Sequence, residues 1–109
     1  MATVYKILGQ VNPSAATLST LYTVPAANSA VVSTLNICNL GTTGAVFRVA
    51  CRPAGASIAN SQYIVYDTAL PASDTISLTL GVTLGNTDVI SVLANTASVT
   101  FTAFGSEIY

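Results

Sequence analysis

The segment Thr75-Ile76-Ser77-Leu78-Thr79-Leu80 alternates polar and apolar residues without a fault. A side-chain period of two is what a β-strand with one buried face requires. Rougher versions of the same signal run from Thr3 to Leu8, Leu18 to Val24, Ala30 to Asn39, Val46 to Arg52, Gln62 to Tyr66, Asp88 to Ala94 and Ser98 to Phe104, and no stretch shows a convincing helical period. Eight short strands separated by Gly, Pro, Asn and Asp turns predict an all-β fold, a single antiparallel β-sandwich or jelly roll. The whole chain, residues 1–109, has room for one such domain.

The turns between these strands are chemically legible. Val24-Pro25-Ala26-Ala27-Asn28-Ser29 and Leu70-Pro71-Ala72-Ser73-Asp74-Thr75 each place proline where a turn uses its fixed φ, and Asn or Asp where a side chain can bond backbone. Their likeness is a faint internal echo, explained more simply by a recurrent turn solution than by two related halves. The longest break in strand pattern is Arg52 to Asn60, so Pro53, Ala54, Gly55, Ala56 and Ser57 form the candidate exposed loop. The first predicted strand reads as part of the core; the alternative is a strand that completes the sheet edge of a neighbouring subunit.

Parity within the strands assigns faces. Phe47, Val49 and Cys51 share one face, and Arg48, Ala50 and Arg52 share the other, so Phe47 points to the core. In the preceding strand Val31, Leu35 and Ile37 form the apolar set, and Val32, Thr34, Asn36 and Cys38 the mostly polar one. Pairing these strands as a hairpin, apolar on apolar, sets Leu35 opposite Cys51 and Ile37 opposite Val49. Cys38 and Cys51 would then diverge on opposite faces of one sheet, where a disulfide cannot close, and two free thiols are expected. The same hairpin sets Arg48 and Arg52 beside Thr34 and Asn36, a candidate subunit contact of the kind arginine often makes at interfaces.

Charge narrows the functional classes. Only 6% of the residues are Asp, Glu, Lys or Arg, against about 25% in an ordinary soluble domain. A surface so poor in charge suits contact with other protein better than open water. With a net charge of −1 and no basic cluster, no nucleic-acid partner is expected. No basic start followed by an apolar run opens the chain, and no stretch approaches the length of an apolar membrane span; cytoplasmic synthesis and no membrane partner are expected. The absence of histidine removes the commonest general base. Asp67, Asp74, Asp88 and Glu107 fall at turns or strand ends without a paired spacing, and no glycine-rich phosphate loop occurs. The expectation is a protein with no catalytic residues, cofactor or metal.

Read in order, Val4-Tyr5-Lys6-Ile7-Leu8-Gly9-Gln10, Leu21-Tyr22-Thr23-Val24-Pro25, Cys38-Asn39, Arg52-Pro53-Ala54-Gly55, Tyr63-Ile64-Val65-Tyr66-Asp67, Leu78-Thr79-Leu80-Gly81-Val82-Thr83-Leu84 and Phe104-Gly105-Ser106-Glu107-Ile108 resemble a group of small virion structural proteins of tailed bacteriophages, many from aquatic bacteria including cyanobacteria. The resemblance spans nearly the whole chain. It implies a non-enzymatic component of the assembled particle, with other virion proteins (the major capsid protein or tail proteins) and copies of itself as partners. A head decoration or cement protein is the first expectation; a tail, collar, baseplate or fibre-associated protein is the alternative. In the second case Tyr5, Tyr22, Tyr63, Tyr66 and Tyr109 could touch protein or sugar, although Tyr63 and Tyr66 read first as core or sheet-packing residues. A carbohydrate-binding module would need an exposed aromatic platform, for which a chain without Trp offers little.

Overall fold

The computed structural model describes residues 2–109. Eight strands lie among them: β1 (Thr3–Val11), β2 (Ser19–Thr23), β3 (Ser29–Asn39), β4 (Ala45–Arg52), β5 (Tyr63–Leu70), β6 (Thr75–Leu84), β7 (Val89–Ala94) and β8 (Val99–Ile108). Each falls on a segment that the sequence marks as strand. Several run further than the alternation suggests, because a bulge throws the pattern out of phase before it resumes. Leu8 interrupts the register of β1, Asp67 lies in the bulge of β5 at φ 50°, and Gly81 in that of β6 at φ 63°.

The strands form two antiparallel four-stranded sheets, sheet I in the order β1-β8-β3-β6 and sheet II in the order β2-β7-β4-β5. Strand pairs β1/β8, β2/β7, β3/β6 and β4/β5 nest inside one another, as if one long hairpin had been rolled up, and β8/β3 and β7/β4 close the roll. That is the jelly-roll arrangement. Every connection crosses between sheets except β4 to β5, whose loop carries two short 3-10 turns, Pro53–Gly55 and Asn60–Gln62.

The expected β3/β4 hairpin does not form. β3 pairs with β6 and β8 in sheet I, whereas β4 pairs with β5 and β7 in sheet II, so Leu35 and Ile37 never lie beside Cys51 and Val49 in a ladder. Sequence neighbours normally pair, but a roll with both faces to fill sends successive strands to opposite layers. A bulge at Ser33 also exchanges two valines: Val32 is fully buried, and Val31 lies on the outer side with Thr34, Asn36 and Cys38. Parity within β4 holds, since Phe47 and Val49 are buried while Arg48 projects outward.

Between the sheets, Phe47 of β4 meets Phe101 of β8 edge to face, with ring centroids 6.2 Å apart. Leu35, Ile37, Val49, Ile90 and Val92 fill the layer around them. Burying each such side chain stabilises the fold by about 1.5–3 kcal/mol. At one end of the sandwich Asn39 is buried and ties three loops together. Its amide nitrogen donates to the carbonyls of Thr43, Leu70 and Pro71, and its Oδ1 accepts from Gly41 N–H and Ser98 Oγ. At one side of the sandwich Gly9 lets β1 lie against β2, because a Cβ there would sit 2.1 Å from the Leu21 carbonyl oxygen.

Among the described residues Glu107 is the buried charge. Its carboxylate accepts from Tyr22 Oη at 2.5 Å and lies 2.8 Å from Lys6 Nζ, so β8 and β1 of sheet I are bonded to β2 of sheet II. Lys6, and then the Tyr22 hydroxyl, hold the Glu107 carboxyl below the usual carboxylate range. Burial, reinforced by Glu107, pushes the Tyr22 phenol up. Sequence position alone, near a strand end, gave no sign of this linkage.

Candidate functional site

The two outer faces of the sandwich differ in chemistry. On sheet I the register sets outward residues into rows across the strands: Tyr5, Ser106, Val31 and Thr83; Ile7, Phe104, Thr34 and Thr79; Gln10, Thr102, Asn36 and Ser77; then Thr100, Cys38 and Thr75. None of them carries a charge. The middle is a carpet of Thr, Ser and Asn, in which Ser77 Oγ donates to Asn36 Oδ1 at 2.6 Å. One corner is apolar, because Tyr5 is 85% exposed and Ile7 and Phe104 lie open beside it. A hollow of about 560 Å³ opens there, lined by Tyr5, Val31, Ser33 and Phe104 and also by Lys6, whose ammonium is paired with Glu107.

Sheet II carries Arg48 and Arg52 on its outer face, and both are already engaged. Arg52 donates from Nε to the Ala56 carbonyl (2.8 Å), from Nη2 to the Gly55 carbonyl (3.0 Å) and from Nη1 to Ser91 Oγ (3.3 Å). It thereby holds the β4–β5 loop over its own sheet, where Ala50 and Ser91 are fully covered. The loop is anchored again by Ala54 N–H, which donates to Asp88 Oδ1. Pro53, Ala54, Ala56 and Ser57 are exposed as the sequence suggests, and Gly55 is half-buried.

Arg48 makes a two-point ion pair with Asp67, Nε to Oδ1 at 2.6 Å and Nη2 to Oδ2 at 3.2 Å. The guanidinium keeps the Asp67 carboxyl below its ordinary range, and the carboxylate pushes the guanidinium still higher. The Arg48 Cζ lies 4.1 Å from the centroid of the Tyr66 ring, and Tyr63 packs edge to face on Tyr66 at 5.0 Å. These two tyrosines are therefore on the surface and not in the core. Tyr66 is 57% exposed, and with Tyr63 and Asn60 it lines a hollow of about 460 Å³.

The single contact patch expected from the hairpin is thus divided. Thr34 and Asn36 lie on the outer face of sheet I, and Arg48 and Arg52 on the outer face of sheet II, with the hydrophobic core between them. Both thiols are free, but by a different geometry: Cys38 points outward from sheet I and Cys51 inward from sheet II. Burial, and then Asp88, push the Cys51 thiol up. Asp74 and Asp88 serve turns, accepting from Thr75 N–H and from Gly85 N–H respectively. No protein-family model matches the chain, and no curated protein matches its sequence.

Proposed function

We propose that this chain is a non-enzymatic structural protein of a tailed-phage virion, a decoration protein that docks on the assembled head and on copies of itself through the outer face of sheet I. The observation that carries the reading is the run of outward rows on that face without a single charge. Covering these rows removes no ion from water, and Lys6, which borders the apolar corner, already has its counter-charge in Glu107, so the electrostatic penalty of association is small. The apolar corner at Tyr5, Ile7 and Phe104 supplies the anchor, since aromatic side chains in a desolvated centre carry most of the energy at interfaces. The jelly roll also builds viral shells, though it hosts other functions too, so the weight rests on the face and on the sequence resemblance.

Magnitude indicates how such a protein would act. Four strands at about 4.8 Å spacing and about 30 Å length give a face on the order of 600 Å². A stable pairwise interface covers about 800 Å² on each partner. One copy on one capsid subunit would therefore hold weakly, and firm attachment requires contact with several neighbours at once. Binding only the assembled shell, each copy would stabilise that state by mass action.

Counting copies per purified particle by quantitative mass spectrometry tests the proposal. Hundreds of copies are expected. A dozen or fewer, or recovery in tails freed of heads, would assign the chain to the tail instead, and its absence from particles would overturn the virion reading.

A further inference from the structure

The hollow beside Tyr63 and Tyr66 lies on sheet II, on the side of the sandwich away from the docking face, and its chemistry is independent of any role of that face. We propose that it is a binding site for a neutral pyranose sugar. Its volume, about 460 Å³, falls within the range of small-ligand sites, about 300–1,000 Å³. Its wall is aromatic, with Tyr66 57% exposed although Arg48 lies over one face of its ring. The ring is held from two directions, by Arg48 at 4.1 Å from its centroid and by Tyr63 packed nearly perpendicular to it at 82°. A platform fixed in this way gives up little freedom when a ligand stacks on it.

The polar groups around the platform suit hydroxyl recognition. Asn60 brings an amide, which both donates and accepts, and the tyrosines bring phenolic hydroxyls. Asp67 is not among the lining residues; it receives two hydrogen bonds from Arg48 and so fixes the guanidinium beside Tyr66. Asp67 holds this position with φ at 50°, in the left-handed region that a non-glycine residue enters at a cost. An aromatic wall with an amide and phenolic hydroxyls beside it complements a pyranose, whose C–H face is apolar and whose rim is hydroxyl.

The electrostatics select the sugar class. The residues lining the hollow, Asn60, Tyr63 and Tyr66, carry no charge, and Arg48 beside them is paired with Asp67, so an ionic sugar finds no free counter-charge there. A proline-rich peptide fits less well, because the perpendicular rings offer one platform and not the row of parallel aromatic walls that an extended peptide grips.

The test is a titration of the full chain, followed by amide NMR shifts, with the methyl glycosides of glucose, galactose and mannose and with their β-linked disaccharides. Saturable shifts confined to residues 60–67 and Arg48 are expected with at least one of them. Tyr66→Ala should weaken the response about tenfold or more, Tyr66→Phe should retain it, and Tyr5→Ala on the opposite face should leave it unchanged. The ring is exposed, so the Tyr66→Ala spectrum should otherwise stay native. The proposal is overturned by the absence of saturable shifts with every neutral sugar, by shifts that persist in Tyr66→Ala, or by a stronger response to a uronate, a sulfated sugar or a proline-rich peptide.

Discussion

The outer face of sheet I has no charged residue in its rows, whereas the outer face of sheet II carries two arginines and satisfies both from within the chain. One composition thus yields two kinds of surface. The rows of sheet I are neutral because their positions are Thr, Ser, Asn, Gln, Cys and a few apolar residues, and Lys6 at their corner is paired with Glu107, so covering the rows leaves no unpaired ion. On sheet II Arg48 is paired with the Asp67 carboxylate and Arg52 has its donors bonded to a loop and Ser91, so its arginines work as internal fastenings. A count of charged residues cannot tell these two cases apart.

The contrast breaks most visibly if charge is placed on sheet I. Thr34→Glu with Thr102→Glu should leave the isolated fold nearly unchanged, within roughly 0.5 kcal/mol. Attachment to particles should fall by about a hundredfold or more, because an unpaired charge would be buried; a binding isotherm on undecorated particles measures this. Unchanged attachment would show that sheet I is not the docked face.

Next in size is the linkage that locks the two sheets together. Glu107→Ala should cost about 2 kcal/mol, as Tyr22 and Lys6 lose their shared acceptor. Its pH signature has a defined sign. The folded Glu107 pKa is depressed, so its contribution is fully present above the unfolded carboxylate value of about 4.3 and is lost as pH falls through the folded value. Urea unfolding from about pH 6 down to pH 3 should show this decline in the native chain and a smaller one in Glu107→Gln.

Arg52→Ala tests whether sheet II charges act as fastenings. Loss of the bonds to Gly55, Ala56 and Ser91 should cost about 1–2 kcal/mol, with faster hydrogen exchange confined to residues 53–62. A smaller effect is expected of Arg48→Ala, whose ion pair with Asp67 is exposed and screened by solvent. It should barely move the melting temperature, yet its loss should release the Asp67 carboxyl toward its ordinary range, visible as an upward shift in an NMR titration.

What could be read in the sequence divides along physical lines. Most strands were legible because they have a buried face, and burial writes alternation into a strand wherever no bulge intervenes; β1, with only exposed and half-buried residues, gave a rougher signal. The layer to which each strand goes was not legible. β3 and β4 look like a hairpin from residue pattern alone, and only the packing of the whole roll places them in different sheets. The outward direction of Arg48 and Arg52 followed from parity, but their partners did not, since Asp67 lies in a bulge that brings it next to Arg48. Tyr63 and Tyr66 were hidden for the same reason. Their spacing across that bulge brings both rings to one hollow, which an unbroken strand would not do. Glu107 gave no signal, because nothing in the order of residues brings Lys6 and Tyr22 to it.

Cys38 stands on the outer face of sheet I and Cys51 faces the interior with its thiol pushed up, so the chain carries its own probe and reference. Alkylation of Cys38, followed by mass spectrometry on the free chain and on intact particles, addresses the covered face most directly. Cys38, half-buried on its outer face, should react faster than Cys51 in the free chain and at least about tenfold more slowly in the particle than in the free chain, while Cys51 should react slowly in both. Equal Cys38 rates in the two states would contradict a covered sheet I.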